Sequence, residues 1–316
     1  MKKSIWLIAL AFVVSTFFGI LNMSETYAAE QTKPEKKAIL VCSFGTTFAE
    51  SRKATIEAIE NKVRAEYPDW EVRRAFSSHI IIKVLKDRDG INVDTPEQAM
   101  QKLADDGYTS VAVMVLDVVP GVEYDYDKRV FDMWKHKGTF QKMSLGLPLF
   151  YYMGQENKPD DFISALNAYK TELPGKLKND EAVLIMAHGT PHPANAYYTV
   201  MQDKINKLGW KNTWVYTVEG TPTLEDIIPQ LKAKKIKKVT LFPMMMVAGD
   251  HANNDMAGAD KESHKSQLIA AGFQVETYIH GIGENAAIQD LYLQRLKDTI
   301  ADLDKPVAPK KMSDHK

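Results

Sequence analysis

One cysteine, Cys42, occurs in the 316 residues. An internal disulfide is therefore impossible, the fold must hold by packing alone, and no paired-cysteine metal motif exists. Cys42 lies inside an apolar run and reads as a small buried residue. Neither sign of charge is in excess: 40 Lys and Arg stand against 41 Asp and Glu, a formal net charge of −1. That balance, with no basic stripe, leaves no electrostatic footprint for nucleic acid. The Gly-x-Ser-x-Gly elbow and the His-Glu-x-x-His helix are missing, so common hydrolase readings lack support. The Gly45-Thr46-Thr47 and Gly189-Thr190 turns carry no phosphate-loop or dinucleotide signature.

Long hydrophobic runs are scarce too. The conspicuous one, Ile5 to Leu21, follows Lys2 and Lys3 and precedes Thr26-Tyr27-Ala28. This is the pattern of a secretory signal peptide over residues 1–28, cleaved before Ala29. The competing reading, an uncleaved anchor, has a run at the lower length limit for a span. No lipid-anchor cysteine follows, so the expectation is an exported, periplasmic or extracytoplasmic protein that is soluble after signal removal. A flexible tail is expected over 304–316, and mobility over Gln31 to Lys37.

What the chain does have is an internal repeat. Ala38 to Thr47 and Ala182 to Thr190 are each an apolar run closing on Gly-Thr. Trp70 to Ser77 aligns loosely with Trp214 to Glu219. Thr95-Pro96 starts a helix pattern ending near Asp106, and Thr221-Pro222 starts one ending near Lys234, each a good N-cap and N1 pair. Each helix leads into an apolar run, Ser110 to Val119 and Lys238 to Val247. Ser51 to Tyr67 and Tyr197 to Leu208 have helical apolar spacing. Strand, helix, strand, helix, strand thus occurs twice. Continuous apolar strands between amphipathic helices predict an α/β fold of two similar lobes with parallel sheets flanked by helices. The lobes are read as 36–150 and 151–303; a further helix, Asp160 to Thr171, joins them, and the long final helix, Glu284 to Leu303, packs back on the first.

Chemistry is expected at the carboxyl ends of the strands, where open α/β sheets bind ligands. Three such ends in the second lobe hold His188, Glu219 and His251, about one strand–helix–strand unit apart. Two imidazoles and a carboxylate suit Co, Fe, Ni or Zn better than Mg or Ca. Each residue alone is more simply a cap or a loop residue; the three at equivalent strand ends favour a shared site. In the first lobe the matching positions hold Ser43 and Phe44, Ser77 to His79, and Glu123, which faces the same cleft or else is an exposed first-turn acid. The backbone N–H groups of the Gly45 and Gly189 turns can hold carboxylates. His192, His264 and His280 read as surface or structural, and in the Met244-Met245-Met246 run alternation sends Met245 to the opposite face.

Ile39 to Thr47, Pro120-Gly121-Val122-Glu123-Tyr124, Met186-Ala187-His188-Gly189-Thr190, Val218-Glu219-Gly220 and Gly249 to Met256 together resemble the anaerobic-type sirohydrochlorin cobaltochelatases of the class II chelatase superfamily. The resemblance spans roughly residues 36–303. It implies two α/β lobes around a tetrapyrrole cleft and ATP-independent insertion of Co(II) into sirohydrochlorin (factor II) in cobalamin synthesis. By resemblance His188 and His251 bind the metal and assist pyrrole deprotonation, Glu219 is the third ligand, and Glu123 is an acid on the opposing side. Ser43, Thr46, Gly189 and Asp255 fall at positions expected to contact the macrocycle. The partners implied are a sirohydrochlorin-type tetrapyrrole and a divalent metal, with no cofactor beyond that Co(II), or Fe(II), and family members can be homo-oligomers. Tetrapyrrole precursors are made in the cytoplasm, so the export signal is a departure. It leaves an iron-inserting chelatase and an extracytoplasmic metal or tetrapyrrole carrier as alternatives.

Overall fold

The computed structural model describes residues 35–305. The expected signal peptide at 1–28 and all but the first two residues of the expected tail lie outside the described residues. Two parallel sheets organise the chain. The first contains β1 (Lys37–Ser43), β2 (Glu71–Phe76), β3 (Ser110–Val115) and β4 (Lys142–Leu145) in the order β2-β1-β3-β4. The second contains β5 (Glu181–Ala187), β6 (Thr213–Thr217), β7 (Lys238–Met244) and β8 (Gln274–Thr277) in the order β6-β5-β7-β8. The repeat is therefore topological as well as sequential. Each sheet carries one strand more than the three that the apolar pattern predicts. β4 and β8 are four-residue strands whose burial is only partial, so they lack the apolar run that marks a buried parallel strand.

Nine α-helices cover the sheets among the described residues. The first, α1, runs through Ala49–Arg52, a π-helical turn at Lys53–Glu57, and Ala58–Glu66. The others are α2 (His79–Asp89), α3 (Pro96–Asp105), α4 (Val122–Lys137), α5 (Asp161–Tyr169), α6 (Ala196–Lys207), α7 (Leu224–Ala233), α8 (His264–Ala270) and α9 (Ala286–Ala301). Thr95 caps α3 as expected, in a reciprocal box with Gln98. The corresponding start of α7 is displaced: Thr223, not Thr221, is the N-cap, and it accepts from the Asp226 backbone while Asp226 accepts in return. Pro222 instead turns its carbonyl back to the Thr217 N–H at 2.8 Å, which keeps Thr221-Pro222 in the loop. Lys36 and Lys37, expected to be mobile, are tied down: the Lys36 N–H donates to Thr109 Oγ1 at 2.9 Å, and Lys37 opens β1 beside Ser110.

Strand alternation divides the core. Ile39, Val41, Val183 and Ile185 point into one continuous apolar cluster built from both sheets. Their neighbours Leu40 and Cys42, and Leu184 and Met186, point into separate outer clusters under the helices. Met244 and Met246 join the shared cluster and Met245 the outer one, as period-2 alternation requires. Cys42 is a buried free thiol. Helix α9 crosses back to the first sheet, where the Tyr292 hydroxyl donates to the carbonyls of Leu116 (3.2 Å) and Asp117 (3.1 Å). Among the described residues no helix is long and apolar enough to cross a membrane.

Candidate active site

Register decides what converges. β5 lies between β6 and β7, with Ala187 opposite both Thr217 and Met244. The residues that follow these partners emerge together at one sheet edge. A cleft of about 470 Å³ lies between the carboxyl edges of the two sheets, lined by Ser43, Thr46, Asp117, Glu123, His188 and His251 among others. Among the described residues no lysine or arginine lines it. Its mouth is apolar, with Phe44, Phe48 and Ile80 exposed at the rim.

The two histidines meet as the repeat predicts: their ring centroids are 4.7 Å apart and the rings are perpendicular. Each has one nitrogen committed. His188 Nδ1 is 2.9 Å from the Gly189 carbonyl, which can only accept, so Nδ1 carries the proton. His251 Nδ1 is 2.6 Å from Asp255 Oδ2, again a donor's position. Both imidazoles are thereby held with Nε2 as the free lone pair, the usual arrangement of a metal-binding histidine backed by a carbonyl or carboxylate. Asp255, expected to touch the macrocycle, holds the His251 ring and is not among the residues that line the cleft. Residues His251–Met256 form a second π-helical turn, fixed by Asn253 donating to the Gly249 carbonyl at 2.7 Å. π turns of this kind concentrate at functional sites.

Glycine turns line the cleft from both lobes. Gly189 has φ +89°, and a Cβ there would stand 2.5 Å from the Glu219 carbonyl carbon. A Cβ at Gly121 would lie 3.5 Å from both Glu123 Oε2 and Thr190 Oγ1, and one at Gly249 would lie 3.5 Å from Thr46 Oγ1. Each lobe thus offers a glycine turn to the other. Arg52, buried beneath, donates to the Thr46 carbonyl and pairs with Glu57, holding the Gly45-Thr46 turn. Ser43 Oγ is buried on the cleft floor without a partner, a donor left for a ligand.

Glu219 stands differently from the histidines. Its N–H donates to the His188 carbonyl at 2.7 Å, so its backbone is anchored beside the pair. Its side chain is exposed and outside the residues that line the cleft, and no group of three His, Cys, Asp or Glu is spaced to hold a metal among the described residues. His192, His264 and His280 do structural work: His192 caps Pro193–Asn195 and faces Asp125 at 3.3 Å, His264 bonds Tyr216, and His280 bonds Glu284.

Two acids escaped the reading of the sequence. Asp117 follows β3 and lines the cleft, and burial holds its carboxyl well above the usual carboxylate range, with repulsion from Asp127 and Glu123 adding to this. Asp127, one turn after Glu123 on α4, is pushed up to about 7 by burial, then by Glu97 and Glu123. The signal was there: Asp117 is the one acid inside the apolar run Ser110 to Val119. Tyr198, on the cleft wall, is raised to about 12 by burial.

Comparison with known proteins agrees with this architecture. The family described as Cobalt chelatase (CbiK) matches residues 37–301. The chain is 36% identical over 265 residues to a sirohydrochlorin cobaltochelatase of Salmonella typhimurium, covering 84% of this chain and 97% of that protein. It is 32% identical over 269 residues to the sirohydrochlorin cobaltochelatase CbiKC of Nitratidesulfovibrio vulgaris, covering 85% and 92%. Among solved structures, SirB from Bacillus subtilis with Fe3+ superposes with a TM-score of 0.57 at 15% identity, covering 84% of this chain and 96% of that one. DR2241 from Deinococcus radiodurans, described as similar to chelatases, superposes at 0.51 and 15% identity, covering 83% and 55%. These last two speak for the two-lobed α/β fold. With a family match over nearly all described residues and relatives above 30% identity across most of their length, the chain belongs to the cobalt chelatase family.

Proposed function

We propose that this protein inserts Co(II) into sirohydrochlorin, without ATP, in the cleft between its two sheets. The family supports the reaction class, and one observation of the structure carries the mechanism: His188 and His251 face each other with both Nδ1 atoms engaged and both Nε2 lone pairs free. Insertion requires that a divalent cation lose water to protein ligands on one face of the ring and that two pyrrole protons be removed. Paired imidazoles can hold such a cation, and in this reading Glu123, which lines the cleft from the other lobe, accepts protons. Glu123 and Asp250 give the cleft an acidic lining that attracts the cation. Glu219 is assigned here as a third ligand that joins by side-chain rotation, since its backbone already abuts His188.

The test is an anaerobic absorbance assay of the full chain with sirohydrochlorin and Co(II), compared with Fe(II) and Ni(II), with His188→Ala as control. Catalytic spectral conversion lost in the variant supports the reading, and the metal ranking gives the preference. Tight binding without conversion would sink the enzyme and leave a carrier on a chelatase fold. Export is proposed separately, from Lys2, Lys3 and the Ile5 to Leu21 run; protein found with an intact N-terminus in the cytoplasmic fraction would refute it.

A further inference from the structure

The proposed reaction releases two protons into a cleft that the macrocycle fills, and those protons need a way out. The first lobe contains carboxyls that no other feature of the fold explains. Asp127 is 3% exposed and its Oδ1 has no hydrogen-bond partner; Asp117 Oδ2, at the cleft floor, has none either. Neither side chain is paired with a lysine, arginine or histidine among the described residues. Two buried carboxyls that repel one another and lack a cation cannot both be ionised at ordinary cost, so at least one holds a proton.

Their surroundings have a direction. Asp117 opens on the cleft beside Glu123. Asp127 lies one helical turn deeper on α4, on the same face as Glu123. Beyond it, in the first turn of α3, Glu97 is half-buried at the outer side of the lobe and accepts from the Tyr126 hydroxyl at 2.5 Å. The groups that face Asp127 from the packed elements are Asp117 after β3, Glu97 on α3, Glu123 and Tyr126 on α4, and the Cys42 thiol on β1, itself raised by burial and then by Asp127 and Asp117. All are acids, and none supplies a counter-charge.

We propose that Asp117, Asp127 and Glu97 form a carboxyl relay that carries the pyrrole protons from the cleft floor through the first lobe to water. The inference rests on the chelatase reading. For each proton, a pyrrole N–H bond breaks as an O–H bond forms on a cleft carboxylate, Glu123 or Asp117. That proton moves to Asp127, then to Glu97, and leaves as hydronium, restoring the carboxylate. Two such passages balance the exchange of two protons for one divalent cation. The upward displacement of Asp117 and Asp127 fits groups that must take protons near neutral pH.

The test measures initial rates of Co(II) insertion into sirohydrochlorin as a function of pH, for the wild type, Asp127→Asn and Asp127→Ala. The expected result for Asp127→Asn is a kcat lower by on the order of 100-fold with an unchanged KM for Co(II) and an altered kcat–pH profile. Formate should restore part of the rate to Asp127→Ala, which loss of a merely structural residue would not allow. Wild-type kcat and pH profile in Asp127→Asn would overturn the relay while leaving the chelatase intact. If the wild type does not turn over, the chelatase reading itself fails. Should Asp127→Asn not fold, Glu97→Gln at the outer end takes its place, and the same two results decide.

Discussion

Gly189→Ala is the substitution on which the geometry of the site bears most directly. Gly189 has φ +89°, and a Cβ there would meet the Glu219 carbonyl carbon at 2.5 Å, its oxygen at 2.7 Å and the Gly220 nitrogen at 2.7 Å. All three are backbone atoms, so no side chain can swing aside. The left-handed conformation costs an L-residue about 1–2 kcal/mol. Overlap in a packed site adds about 1–3 kcal/mol. Reduced freedom of the unfolded chain returns only about 0.4–1 kcal/mol. The net is a loss of about 1–5 kcal/mol, which lowers the melting temperature by roughly 2–9 °C in a protein of this size. Gly249→Ala is the matched control on the other histidine loop, since its nearest neighbour is Thr46 Oγ1 at 3.5 Å, an ordinary contact. It should stay within about 0.5 kcal/mol of the wild type. Thermal and urea unfolding, followed by circular dichroism, measure both. Because the Gly189 carbonyl also fixes His188 Nδ1, turnover should fall in Gly189→Ala even where the protein remains folded. A Gly189→Ala protein melting within about 1 °C of the wild type, or a Gly249→Ala protein falling as far as Gly189→Ala, would refute the reasoning.

Other consequences are equally open to measurement. Asp255→Ala removes the acceptor that holds the His251 ring, so Co(II) affinity or turnover should drop about 10–100-fold; an unchanged titration with Co(II) would show that the ring is oriented by something else. The raised Asp127 carboxyl has a definite sign in stability: the folded state binds its proton more tightly than the unfolded chain does, so this stabilisation is complete below the unfolded value of about 4 and is lost as pH rises towards about 7. Asp127→Asn should therefore gain on the wild type across that window and hold a constant advantage above it, as read from urea midpoints; a difference that does not vary with pH would contradict it. Thr223→Ala removes both the cap and its box and should cost about 1 kcal/mol, in contrast to an exposed substitution outside any cap.

How far the site could be read from the sequence depended on which part of each residue carried the information. His188 and His251 were legible because their position is a backbone property. They follow adjacent, largely buried parallel strands whose apolar runs are unmistakable, and the registers of β5 and β7 bring those strand ends level. Glu219 follows the neighbouring strand by the same logic, and its backbone does arrive beside His188. Its side chain has one more degree of freedom than periodicity can specify, and it is exposed. The same distinction explains the misplaced helix start. Thr221-Pro222 and Thr223 with Asp226 both satisfy local capping rules, and the choice fell to the carbonyl of Pro222, committed to Thr217. The edge strands β4 and β8 were lost because they are short and only partly buried. Asp117 shows the converse. An acid inside an apolar run breaks the rule that buried strands exclude charge, and such breaks fall at function more often than at error. The run Ser110 to Val119 was read for its hydrophobicity, whereas its one exception faces the chemistry. In a fold built by doubling one unit, what is shared between the halves reports the scaffold. What differs, histidines on one side and buried carboxyls on the other, is where the proposed mechanism divides holding the cation from removing the protons.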